Sequence, residues 1–198
     1  MKKKIIAVIA ALSIMISLTG CGTKITKMNG EALSKKEATS LVKSDMEENC
    51  YSLKEFDNYL KRTFMTEEDQ VNAKKLIVVD YKKNAEERLR QVVSEEDDHK
   101  SENENKYYLS GLGFTSEEVL YAIENVEIDY NEKALKAFYS HIKDNEYFFT
   151  NNNISMDQMI EITKESLITY NHFTDEEVEY AVEHYKTAEE TNEIKIMS

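Results

Sequence analysis

The chain has 198 residues, no proline, no tryptophan and five glycines, with 25 basic against 38 acidic side chains and a formal charge of −13. Such an acidic body repels nucleic acid and anionic headgroups, which excludes DNA or RNA as a partner. With two cysteines, Cys21 and Cys50, it has no disulfide framework, so helix packing must hold it together.

The first element is a targeting segment. Lys2, Lys3 and Lys4 precede an uncharged apolar run over 5–19, and Leu18-Thr19-Gly20-Cys21 follows. A basic start, a short apolar core and small residues before the cut describe a secretory signal, and the cysteine directly after them makes a lipobox. The expected chemistry is diacylglycerol transfer to the Cys21 thiol and cleavage after Gly20. The alternative, a membrane-spanning anchor, needs about 20 apolar residues, and no second long apolar run follows. Loss of the three lysines leaves 22 basic against 38 acidic side chains, a charge of −16. The predicted location is therefore the outer face of the cell membrane, attached through lipid. Cys50 reads as a half-buried small apolar residue rather than a reactive thiol.

Beyond a tether over 21–32 the sequence predicts an all-α chain. Capping boxes, with Ser or Thr at the cap and Glu or Gln three residues on, occur at Ser34/Glu37, Ser52/Glu55, Thr115/Glu118, Ser155/Gln158 and Thr174/Glu177. An apolar residue precedes each cap (Leu33, Tyr51, Phe114, Ile154, Phe173) and another lies four beyond it (Ala38, Phe56, Val119, Met159, Val178), the pairing of a hydrophobic staple. These starts predict helices over 34–48, 52–63, 66–97 with a break near Asp80, 105–111, 115–126, 130–144, 155–169 and 174–190. The run EEDDHKSENEN over 95–105 has almost no apolar side chain and reads as a solvated polar spacer or the solvated end of a long helix; TNNN over 150–153 reads as a turn.

Part of this pattern is repeated. Residues 114–125, FTSEEVLYAIEN, and 173–184, FTDEEVEYAVEH, agree at eight of twelve positions. Asp129 and Glu132 form a further cap pair ahead of Ala134 and Leu135. A more degenerate copy, 65–85, aligns with 114–134 through Thr66, Glu68, Ala73, Asp80, Tyr81 and Ala85. The expected organisation is a signal peptide at 1–20, the tether, a degenerate helical repeat at 33–85, helix-turn-helix repeats at 86–128 and 129–190, and a tail at 191–198.

Two linked strings carry a resemblance. Gly113-Phe114-Thr115, Glu117-Glu118, Tyr121-Ala122-Ile123 and Asp129-Tyr130-Asn131-Glu132 with Ala134-Leu135 form the first. His172-Phe173-Thr174, Glu176-Glu177 and Tyr180-Ala181-Val182 form the second. They resemble the repeat of the Ltp-like, host-cell-surface-exposed lipoproteins, although Tyr130 stands where that family usually has tryptophan. The resemblance implies tandem small helix-turn-helix repeats behind a lipid anchor. It also implies superinfection exclusion, in which the anchored protein blocks phage DNA injection with a tail tape-measure protein as target. A surface lipoprotein binding another protein or a cell-wall ligand is the alternative.

Read residue by residue, most letters of the phrase are structural: Phe114 and Phe173 as staples, Thr115, Glu118, Thr174, Glu177 and Asp129 as caps, Tyr121, Ala122, Tyr130, Tyr180 and Ala181 as packing residues. Glu117, Glu124, Glu176, Glu179 and Glu183 remain as candidate contacts to a basic partner segment. No catalytic motif is present, so no enzyme activity and no cofactor is expected. His99, His141, His172 and His184 have no metal-ligand spacing, and Asp129-x-Asn131-x-Lys133 lacks the glycine and final glutamate of a calcium loop. The lipobox is directly testable: Cys21→Ser should move the protein from the membrane fraction to the medium, and a variant that stays anchored would refute lipidation.

Overall fold

A computed structural model describes residues 35–63, 67–95 and 98–190. The signal segment, Cys21, the tether, Ser34 and the tail lie outside the described residues. The chain is all-α. Its helices are α1 (Lys35–Asn49), α2 (Leu53–Thr63), α3 (Glu67–Leu76), α4 (Tyr81–Val93), α5 (Glu102–Leu112), α6 (Ser116–Asn125), α7 (Tyr130–Asp144), α8 (Glu146–Asn151), α9 (Met156–Thr169) and α10 (Asp175–Glu190).

The chain divides into two units, Met1–Asp80 and Tyr81–Ser198. In the first, Val42 and Met46 of α1, Phe56 and Leu60 of α2, and Ala73 of α3 are buried, each pair at the one-turn spacing of a helix stripe. In the second, α4, α5 and α6 enclose Ala85, Leu89, Leu109, Phe114, Val119, Ala122 and Val126. Helices α7, α9 and α10 enclose a core containing Ala134, Phe138, Ile160, Leu167, Phe173, Val178, Ala181 and Tyr185. Alanine is fully buried at corresponding positions, Ala85 and Ala134, Ala122 and Ala181, where a small side chain lets helix axes approach closely.

Helix ends explain how the chain turns. At four corners a residue with positive φ ends one helix: Cys50 (52°), Gly113 (97°), Asn153 (53°) and His172 (58°). The amide of the next residue then bonds back into the helix, Tyr51 to the Met46 carbonyl at 3.4 Å, Phe114 to Leu109 at 3.2 Å, Ile154 to Phe149 at 3.0 Å and Phe173 to Leu167 at 3.2 Å. This satisfies carbonyls that a helix end leaves orphaned. The following Ser or Thr opens the next helix with a reciprocal box. Ser52 and Glu55 exchange bonds of 2.9 and 3.1 Å, Thr115 and Glu118 bonds of 2.8 and 3.3 Å. Ser155 and Gln158 exchange bonds of 3.0 and 3.3 Å, Thr174 and Glu177 bonds of 2.8 and 3.3 Å.

The 66–97 stretch breaks near Asp80 as expected, into two helices with residues 77–80 non-helical between them, and Ile77 is buried at the break. Other expectations need correction. The helix expected over 105–111 starts at Glu102, because Ser101 and Glu104 form a further capping box. Helix α8 takes in Thr150 and Asn151, which leaves only Asn152 and Asn153 of the TNNN run as a turn. Cys50 is buried rather than half-buried, and its backbone occupies a corner.

Only one of the four corner residues is glycine, the residue that adopts this conformation without a steric penalty. The exposed His172 makes an edge contact with Tyr107 at 5.9 Å. His172→Gly should stabilise the protein by about 0.5–1 kcal/mol through relief of left-handed strain, and Gly113→Ala should destabilise it by about 1 kcal/mol. Thermal unfolding of the two variants checks this; the opposite order would contradict the account.

Candidate functional site

The repeated phrase places its residues in matching positions. Phe114, Ala122, Phe173 and Ala181 are buried in the two cores, while Thr115, Glu118, Thr174 and Glu177 are engaged in caps. Asp129 caps α7, its carboxylate accepting from the Glu132 amide at 3.0 Å.

The candidate contact acids all face solvent. On α6, Glu117, Tyr121 and Glu124 lie at i, i+4 and i+7, and on α10 Glu176, Tyr180 and Glu183 repeat that stripe with Glu179 beside it. The two stripes differ electrostatically. Lys82 of α4 donates to Glu117 at 2.6 Å and sits 5.8 Å from the Tyr121 ring. Its hydrogen bond and then its charge hold the Glu117 carboxyl below the ordinary range. On α10, Tyr180 instead stacks with His184 at 3.8 Å. The α6 stripe is thus partly neutralised from within the fold.

The polar run over 95–105 is no solvated spacer. Asp98, Ser101 and Asn105 are buried. The Lys133 ammonium donates to the Asp98 carboxylate at 2.7 Å, to the Asp98 carbonyl at 2.9 Å and to the Val93 carbonyl at 3.0 Å. Lys100 donates to the other Asp98 oxygen at 2.6 Å. Ser101 donates its hydroxyl to the Asn171 carbonyl at 2.6 Å, and Asn171 reaches Glu104 at 3.2 Å. The segment thereby ties the end of α4 to the start of α7 and to the corner before α10. Sequence reading passed over it because composition reports polarity, not whether the polar groups find partners. The one local signal was Ser101 with Glu104, a box overlooked inside the charged run.

Burial alone would raise the Asp98 carboxyl, but hydrogen bonds from Lys100 and Lys133, and their charges, outweigh it and hold the group below its usual range. Burial pushes the Tyr130 hydroxyl up to about 12, partly offset by the neighbouring Asn105 amide. Neither the amide atoms of Asn105 nor Tyr130 Oη makes a hydrogen bond of standard geometry, so this contact is a polar juxtaposition and not a formed bond.

Among the described residues no three side chains of His, Cys, Asp or Glu converge as a metal site, and no helix is long and apolar enough to cross a membrane. What the surface of the described residues offers is carboxylate stripes and uncovered apolar side chains. No protein-family model and no curated protein matches the chain. Among solved structures it is similar to Ltp, a superinfection exclusion protein from the Streptococcus thermophilus temperate phage TP-J34. The match has 25% identity, covers 53% of this chain and 95% of that chain, and has a TM-score of 0.42.

The buried ion pair gives a pH prediction. A carboxyl with a depressed folded-state pKa stabilises the fold above its unfolded value, about 3.9 for Asp, and that stabilisation is lost as pH falls through the folded value. Lys133→Met leaves Asp98 with one half-exposed lysine partner and should cost about 3–5 kcal/mol at neutral pH. Without Lys133 the Asp98 carboxyl is held less far below its unfolded value, so the variant should lose less stability on acidification and its deficit against the parent should narrow as pH falls. Urea unfolding between pH 3 and 7 reads both effects, and a parallel, undisplaced pH profile would contradict the assignment.

Proposed function

We propose that the chain is a lipid-anchored protein of the outer membrane face that binds a protein and excludes superinfecting phage by blocking DNA injection. The observation that carries the reading is the linked string over 113–135, repeated in part over 172–182, downstream of the lipobox at Cys21. Capping boxes by themselves are common; the connected order of glycine or its substitute, Phe-Thr, paired glutamates, Tyr-Ala and then Asp-Tyr-Asn-Glu is not.

The physical account follows from placement and charge. A phage tail component must pass the membrane face to open a path for DNA, and a lipid on Cys21 concentrates the acidic helices at that face. Complementary charge raises the encounter rate with a basic segment, and a tape-measure protein is the proposed target. Glu176, Glu179 and Glu183 on α10 and Glu124 on α6 are the candidate contacts; Glu117 already holds Lys82.

Expression in a phage-sensitive host tests the proposal. Adsorption should be unchanged while DNA entry and plaque formation fall, and Cys21→Ser should restore both. Normal infection across a broad phage panel would overturn the phage role and point to another protein or a cell-wall ligand.

A further inference from the structure

The neighbourhood of α8 and α9 leaves apolar side chains uncovered. Tyr147 and Phe148 on α8, Met156 and Ile162 on α9, and Tyr170 at its end are exposed, Phe148 at 53% and Ile162 at 40%. Phe148 rests edge-on against buried Phe149 at 5.8 Å between ring centres. At two corners the staple residue is buried, Phe114 and Phe173, but Ile154 is only half-buried. It lines a depression of about 410 Å³ that includes Ile162. A second depression, about 300 Å³, continues from Ile162 past Phe148 and Ser166 to Tyr170. Together they follow the 14 residues of α9, about 21 Å of helix. Helix α8, one wall of the groove, has no helical counterpart among the described residues between α4 and α5.

The rim has one sign. Asp157, Glu161 and Glu165 stand at one-turn intervals along α9 and are all exposed. Lys164 approaches Glu161 at 3.6 Å; among the described residues Asp157 and Glu165 form no ion pair.

We propose that this groove docks an amphipathic helix of a partner protein, with apolar side chains seated along α9 and Lys or Arg set against Asp157, Glu161 and Glu165. The inference deepens the protein-binding role proposed above and rests on it. A helix as long as α9 presents apolar anchors at i, i+3, i+4 and i+7 along a groove of this kind, and their burial supplies the affinity. The acidic stripe sets which flank of the occupant is basic. A second copy of this chain, with 22 basic against 38 acidic side chains after loss of Lys2, Lys3 and Lys4, is opposed by like-charge repulsion, and so is an anionic lipid surface.

The test uses the full mature chain carrying Cys21→Ser, so that no lipid competes. The probe is a fluorescein-labelled leucine–lysine amphipathic helix matched in length to α9, with its leucine–glutamate counterpart as control. The basic peptide should bind, protect amides of α8 and α9 from hydrogen exchange, and lose affinity as salt rises. Phe148→Ser and Ile162→Ser should each weaken it by about tenfold, while Leu120→Ser on the exposed face of α6 leaves it unchanged; circular dichroism confirms that helicity is kept. Equal binding by all variants, protection on α10 instead, or a dimer that Ile162→Ser dissociates would each overturn the groove assignment. A chain that docks the peptide on α9 yet never excludes phage loses the proposed function and keeps the groove. One that excludes phage without groove-dependent binding does the reverse.

Discussion

The fold depends on one constraint at the helix ends: a residue forced into the left-handed region, followed at once by an apolar residue and a Ser or Thr cap. The left-handed residue lets the ending helix satisfy its last carbonyls. The cap and its partner three residues on satisfy the first amides of the next helix. The apolar residue between them sets the turn's orientation, because Phe114 and Phe173 can leave water only by entering the cores that also hold Val119 and Val178. Without proline in the chain, these corners carry the work of stopping helices. Three of them use Cys50, Asn153 and His172 where glycine would fit without strain; Cys50 and His172 make side-chain contacts there, to the Glu47 carbonyl and the Tyr107 ring.

A second constraint is polar. Lys133 and Asp98 are removed from water together, and such a pair is tolerable only when the remaining donors and acceptors are satisfied. Here the lysine spends bonds on two backbone carbonyls as well as the carboxylate. The gain over an apolar contact is specificity of position: Asp98 can meet Lys133 only if α4 ends and α7 begins where they do.

These demands divide the repeated phrase between architecture and surface. Its phenylalanines, caps and alanines are consumed by packing, and what remains outward are the carboxylates. Even these are unequal, since Lys82 occupies Glu117 while among the described residues Glu176, Glu179 and Glu183 of α10 form no ion pair. The least repeated part of the second unit, α8 with the face of α9 beside it, is also where apolar side chains stay in water. The proposed docking surface thereby lies where the copies differ.

How much of this was legible follows from the range of the forces involved. Capping boxes, staples and one-turn apolar spacing act within six or seven residues, so the all-α class and most helix starts could be read from the chain by itself. The left-handed corners could not, apart from Gly113, because nothing local announces that Cys50, Asn153 or His172 will be held at positive φ by the packing of the aromatic or aliphatic residue after it. The burial of Asp98 and Ser101 was hidden for a similar reason: a polar run is solvated or interior according to partners about 35 and 70 residues away. The groove on α9 belongs to the same class. Ile154, Ile162 and Phe148 look like core residues by spacing, and only tertiary packing decided that no element of the described chain covers them.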